Sequence, residues 1–287
     1  MEEKKVSKKE FISLLFKEIS KDEITFLSAQ TAYYFIMSLV PMLIVIINII
    51  SIFAQNQLDN LFEFFKILPD STLIIMRPIV ENIINSRSNS LLSMSLIVSI
   101  WSSSNAITSL INSLNKAFGL EKNKNFVIGR LKSIFFTLIL SFVILTVLIF
   151  TAYGNAFLSF IKPYLKQYDY VFNPIYKLFL QYLIPILAMI FSFTSFFRYA
   201  PNFKKTERLN FKSSFIGSLI ATIGWLILSI AFSFYITNIS SMSVIYGSLV
   251  GIFALFIWFN LSSMIIIFAG EFAFLYEKLF YNKKIQE

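Results

Sequence analysis

The sequence predicts an all-α fold, a polytopic membrane protein of six transmembrane helices with both termini on the cytoplasmic side. Of 287 residues, 56% are hydrophobic, 17% aromatic and 14% charged, whereas a soluble domain carries about 25% charged residues. Six stretches stay apolar over the roughly 20 residues that a helix needs to cross a hydrocarbon core. The Lys and Arg residues gather in alternate loops. An open strand in lipid would leave its backbone groups unpaired, and none of the stretches alternates as barrel strands do, so each reads as a helix.

In chain order, residues 1–27 form a charged tail in which Phe11, Leu14, Leu15 and Ile19 share one helical stripe flanked by Lys8, Lys17, Glu18 and Lys21. That pattern predicts an amphipathic helix on the cytoplasmic leaflet. The tail lacks the short apolar region and cleavage site of a signal peptide, so span one, 33–53, is expected to stay in the membrane. Residues 54–90 form an outer loop with two more stripes (Leu58, Leu61, Phe62, Phe65 and Ile75, Ile79, Ile83) broken at Pro69-Asp70-Ser71. They predict a helical hairpin, either on the outer leaflet or packed on the protein. Spans two to six follow at 91–111, 134–158, 174–197, 211–237 and 244–276. The chain reads as a single transmembrane domain with no repeat of 20 to 50 residues.

The cations set the orientation. The tail holds six, the second loop five (Lys116, Lys122, Lys124, Arg130, Lys132), the fourth loop five (Arg198, Lys204, Lys205, Arg208, Lys212) and the C-terminal tail three (Lys278, Lys283, Lys284). The first and third loops, on the other side, hold six between them, so both termini are expected inside. This topology accounts for the net charge of +9 and makes nucleic-acid binding an unnecessary reading. No cation lies deep in a span to serve as a voltage sensor.

With no Cys and no His, the chain offers no thiolate, imidazole base or Cys/His metal site, and its carboxylates are scattered. Neither a cofactor nor a metal is expected, and the Ser clusters lack an adjacent base.

Span two is the most polar helix. Ser95, Ser99, Ser102, Ala106, Ser109 and Ser113 follow one face, and Trp101, Asn105, Thr108, Asn112 and Asn115 follow the face beside it. Amides cannot be left to lipid, so this sector is expected to face the bundle interior. It forms either a hydrated groove for a polar head group or a close helix contact with hydroxyls bonded one turn back. Glu271 is the acidic residue well inside a predicted span. It is either a proton-coupling or head-group contact, or a structural partner of Arg198 or another fourth-loop cation. Tyr34 and Ser38 give span one some polarity. Pro41 and Pro185 each remove a helical hydrogen bond and mark either a moving part or a static kink. Gly247-xxx-Gly251, Gly217-xxx-Ala221 and Ala269-xxx-Ala273 are small-residue surfaces for contact within or between subunits.

Several segments together resemble a known family. They are Tyr33-Tyr34-Phe35 with Ser38-Leu39-Val40-Pro41, Trp101-Ser102-Ser103-Ser104-Asn105-Ala106, Leu114-Asn115-Lys116-Ala117-Phe118-Gly119, Arg198-Tyr199-Ala200-Pro201-Asn202, Ile245-Tyr246-Gly247-Ser248-Leu249 and Gly270-Glu271. In this order, from about Phe11 to Tyr276, they resemble the YihY/virulence factor BrkB family. The family often has Leu where this chain has Ala200. The resemblance implies a bacterial inner-membrane protein with six spans, and some family members are linked to serum resistance or to export of lipid A precursors. An old ribonuclease label also attaches to the family, and the absence of His and of clustered carboxylates argues against it here.

The resulting expectation is a non-enzymatic protein that binds or transports an amphiphile. Tyr34, Ser38, Pro41, Ser102, Asn105, Asn112 and Glu271 are the ligand or pathway candidates. Trp101, Asn115, Arg198, Pro201, Asn202, Tyr246, Gly247, Gly251 and Gly270 are the structural motif candidates. The alternative is a membrane scaffold or envelope-assembly protein. Expected partners are membrane lipids, an amphiphilic substrate, and either a second copy or an envelope protein.

Overall fold

The computed structural model describes residues 8–53, 89–121, 125–161, 182–204, 208–238 and 248–281. Its seven helices are α1 (Lys8–Lys21), α2 (Ile24–Phe53), α3 (Asn89–Ala117), α4 (Phe126–Ile161), α5 (Ile184–Tyr199), α6 (Phe211–Asn238) and α7 (Ser248–Phe280), and no strand occurs among the described residues. Within α4, α6 and α7, the segments Phe126–Val143, Phe211–Tyr235 and Phe253–Phe280 are long and apolar enough to cross a membrane; α5 is apolar but shorter. The loop hairpin expected over 54–90 lies outside the described residues.

The helices overrun the apolar windows at several ends. α2 begins nine residues before span one, and α3 continues six residues past span two. A hydropathy window marks only what lipid would solvate, while a helix goes on satisfying its own backbone until a cap stops it. The caps are legible. Leu120 N–H donates to the Asn115 carbonyl at 2.8 Å and Gly119 N–H to the Lys116 carbonyl at 3.1 Å, with Gly119 at φ +65°. This is a Schellman end, and it needs the left-handed residue that glycine supplies at least cost. At the start of α4, Asn125 Oδ1 accepts from the N–H groups of Val127 and Ile128 at 3.0 and 3.3 Å, an N-cap. Pro185 is buried near the beginning of the described α5, directly after the π-helical residues 182 and 183. α2 runs as helix through Pro41 without a break.

The chain divides into two compact units, Met1–Ala32 with Ile107–Glu287, and Tyr33–Ala106. In the first, α1 lies on α7. Phe11 packs edge-on against Phe272 at 5.1 Å and against Phe280 at 6.3 Å, Leu15 is buried, and Phe16 on the opposite side is 66% exposed. Thus part of the stripe expected to meet the leaflet is committed to the protein. α5 meets α4 through Phe196 and Phe136, 5.3 Å apart. It meets α6 where the Thr194 and Ser218 hydroxyls hydrogen-bond at 2.8 Å.

The α6–α7 crossing is close. A Cβ on Gly217 would stand 2.8 Å from Ala273 Cβ and 3.0 Å from the Ala269 carbonyl oxygen. The small residues of 217–221 and 269–273 therefore serve an internal helix contact, whereas a Cβ on Gly251 would meet nothing within 4 Å. Ile223, Ile227, Ile230 and Phe234, at steps of four, three and four, are exposed along α6. This apolar stripe suits lipid.

In the second unit, Tyr33 and Tyr34 rings meet edge-on at 5.3 Å, and the Ser38 and Ser104 hydroxyls donate to the Phe35 and Trp101 carbonyls at 2.7 and 2.8 Å.

Candidate functional site

Two sequence motifs meet at the Gly119 end of α3. Asn115 is buried, and its Oδ1 accepts the backbone N–H of Asn202 at 2.8 Å. The Asn202 side chain donates to the Glu121 carbonyl at 3.2 Å, and its Oδ1 accepts from Lys132 Nζ at 3.2 Å. Pro201 beside it is buried. Three residues past Asn115, Phe118 stacks between Phe203 at 5.6 Å and Phe274 at 4.7 Å. Gly270 makes room for this layer, because a Cβ there would stand 2.5 Å from Leu114 Cδ2, 3.3 Å from Phe197 and 3.4 Å from Phe118. Asn115, Pro201, Asn202 and Gly270 thus form one structural joint. Arg198 does not enter it; it lies in the last turn of α5 against the Tyr199 ring.

Glu271, the next residue on α7, is 2% exposed, and its Oε2 has no hydrogen-bond partner. The charged groups that act on it are Asp22, Glu18, Lys21 and Lys278. The partnership with Arg198 that the sequence allowed is not formed. Instead Glu271 faces the electrostatics of the α1–α2 turn, because α1 lies on α7, while Arg198 and Arg208 lie over Tyr199 and Lys212 over Tyr281. In that turn Asp22 is 8% exposed, with a buried, unbonded Oδ2. Neighbouring Lys21 pairs with Glu18 at 3.0 Å, and Glu23, at φ 53°, pairs with Lys116 at 3.1 Å.

Burial pushes the Asp22 carboxyl above the ordinary aspartate value, with Lys21 opposing and Glu18 adding to the shift. In the window between the ordinary and the raised value the folded chain holds a proton that the unfolded chain has released. The contribution of this group therefore favours folding at acid pH and is lost as pH rises through the folded value. Asp22→Asn is expected to match the wild type in acid and to become the more stable of the two above that window. Unfolding midpoints of both proteins in detergent across pH check this; parallel curves would refute it.

Glu277 lies one residue past the apolar window of span six, and the sequence reading passes over it. It is 1% exposed. Its Oε2 accepts from the Asn210 N–H at 3.0 Å and the Ser213 hydroxyl at 2.6 Å, and its Oε1 accepts from Asn210 Nδ2 at 2.9 Å. A carboxylate from α7 thus caps α6, where orphan N–H groups and the helix dipole favour negative charge. The signal was the Asn210-x-x-Ser213 start of α6, which announces a cap without naming its distant partner.

The polar sector of α3 splits in two. Ala106, Ser109 and Ser113 are buried; Ser109 hydrogen-bonds Thr31 of α2 at 3.1 Å, and Ser113 donates back to the Ser109 carbonyl at 2.9 Å. The adjoining strip is open. Ser102, Asn105 and Thr108 are half-buried, Asn112 is exposed, and Trp101 is 50% exposed. Asn112 thus stands outside the packed interior in which the sequence placed it, since the smaller side chains of the neighbouring stripe take the contact. Tyr34 is half-buried and Ser38 buried, both in the second unit with Ser102 and Asn105. The side chain of Pro41, and Tyr246 and Gly247 altogether, lie outside the described residues. Among the described residues no group of three or more acidic side chains stands together to hold a metal ion.

Long apolar helices, a core joined by small residues and aromatic stacks, and a carboxylate buried inside an apolar helix define an all-helical membrane protein. The chain belongs to the virulence factor BrkB family, whose model matches residues 15–286. It is 32% identical to YfkH of Bacillus subtilis, which carries a ribonuclease-like name, over 91% of this chain and 93% of that one. It is 24% identical to a UPF0761 membrane protein of Alteromonas mediterranea, covering 97% of this chain and 91% of that one. A UPF0761 membrane protein of Pseudoalteromonas atlantica is also 24% identical, covering 95% and 88%. No solved structure matches.

Proposed function

We propose that the chain crosses the bacterial inner membrane six times, keeps both termini in the cytoplasm, and binds and moves an amphiphile such as a lipid or a lipid A precursor. The observation that carries this reading is the open polar strip on α3. Asn105 lies eleven residues before Lys116, roughly 16 Å along the helix at 1.5 Å per residue. Polar surface left half-exposed at that depth is costly against hydrocarbon, and a strip of Ser102, Asn105 and Thr108 suits water or a polar head group better than lipid tails. Glu271 adds the ionisable group that a membrane helix retains at a cost. The hydrogen bonds of Ser109, Ser113 and Thr31 support packing for the neighbouring stripe, which leaves the open strip as the surface a head group would follow.

The test is lipid movement in reconstituted vesicles, followed with a fluorescent phospholipid. Asn105→Leu and Glu271→Gln are each expected to reduce the flux to that of protein-free vesicles while the protein stays folded. Wild-type flux no faster than protein-free vesicles, or flux unchanged in both variants, would end this reading.

A further inference from the structure

Three cations converge where α4 and α5 meet the loop before α6. The guanidinium carbons of Arg198 and Arg208 lie 5.6 and 5.5 Å from the centroid of one ring, Tyr199. The charge of Arg208 also acts on Lys132, and Lys132 is tethered to Asn202 Oδ1 at 3.2 Å. Asn202 is in turn held by Asn115 and by the Glu121 backbone carbonyl, so the lysine stands on a fixed joint. Arg198 keeps Nε buried with no acceptor. Among the described residues no carboxylate pairs with Lys132, Arg198 or Arg208, whereas Lys21 pairs with Glu18 and Lys116 with Glu23. Glu121, whose backbone enters the joint, is exposed.

Like charges held near one another repel, and a protein normally places an acid among them. Here an aromatic ring holds two guanidinium groups and an amide holds the ammonium, and no carboxylate among the described residues stands between them. Guanidinium forks and an ammonium are the donor set that suits the oxygens of a phosphate.

We propose that Lys132, Arg198 and Arg208, framed by Tyr199, bind a phosphate group, carried either by an anionic lipid head group or by a soluble phosphate compound. This goes beyond the transport reading. The site is distinct from Glu271 and from the α3 strip, and it binds whether or not anything crosses the membrane.

The experiment uses the full chain in phosphatidylcholine nanodiscs and reads the thermal unfolding midpoint. One arm adds phosphatidate to the bilayer, and the other adds inorganic phosphate or pyrophosphate to the buffer. A rise with phosphatidate alone assigns the site to a lipid head group, and a rise with the soluble anions alone assigns it to a free phosphate. Arg208→Gln, an exposed loop position that keeps the fold, is expected to weaken the apparent affinity about tenfold or more, and Arg198→Gln/Arg208→Gln to abolish the rise. Lys9→Gln/Lys17→Gln, on exposed positions of α1, should leave it intact. No rise in either arm, an equal rise in wild type and Arg208→Gln, or an equal loss in the α1 variant would each overturn the proposal.

Discussion

Glu277→Leu is expected to destabilise the protein by about 3 kcal/mol, since hydrogen bonds to a charged group contribute about 1.5–3 kcal/mol each and the buried Ser213 hydroxyl would be left unpaired. The leucine fills much of the volume but accepts nothing. The Asn210 N–H, Asn210 Nδ2 and the Ser213 hydroxyl would lose their acceptors together, and α6 would lose its cap. Glu277→Gln keeps an acceptor oxygen while giving up the charge, so it should recover part of the loss. The ordering wild type, Gln, Leu in detergent unfolding midpoints is the check. Equal midpoints for wild type and Leu would mean that the carboxylate caps nothing in the membrane-embedded protein.

The second large effect is expected at Gly217→Val. Its Cβ alone would meet Ala273 Cβ at 2.8 Å and the Ala269 carbonyl oxygen at 3.0 Å. A backbone oxygen cannot rotate away, so the α6–α7 crossing must widen to admit even one carbon. Overpacking of this kind costs about 1–3 kcal/mol and sometimes more, and the added methyl groups of valine place the substitution at the upper end. Gly251→Val is the internal comparison, because a Cβ on Gly251 would meet nothing within 4 Å, and it should unfold close to wild type. A Gly217→Val protein as stable as Gly251→Val would remove the close crossing from the account.

Much of the fold was legible because membrane helices announce themselves by apolar length, and every described helix overlaps a segment that the sequence marked. What the sequence did not give was the packing. The stripe Phe11, Leu14, Leu15 and Ile19 was visible, but whether it met lipid or protein depended on α7, whose Phe272 and Phe280 lie over 250 residues away. The same limit hid Glu277, which periodicity places at a helix end but only the fold places over the first turn of α6. Glu271 stood out because a carboxylate in an apolar run is conspicuous. Its neighbours at Asp22 and Lys21 did not, since a polar turn between helices looks like any other. In α3, spacing resolved two polar stripes but could not say which residues pack. Ala106, Ser109 and Ser113 are buried, Asn105 is half-buried and Asn112 exposed, while Asn115 on the same stripe as Asn112 is buried against Asn202.

The measurement that tests the central claim most directly uses single cysteines at Asn105, Thr108, Asn112, Ser109 and Ser113. They are introduced one at a time into this chain, which has no native cysteine, and probed in sealed membranes with an impermeant thiol reagent. The account predicts labelling of 105, 108 and 112 as a continuous strip, with 109 and 113 protected. Protection of 105 and 108 together with 109 and 113 would show a dry, packed helix and contradict an amphiphile path along α3.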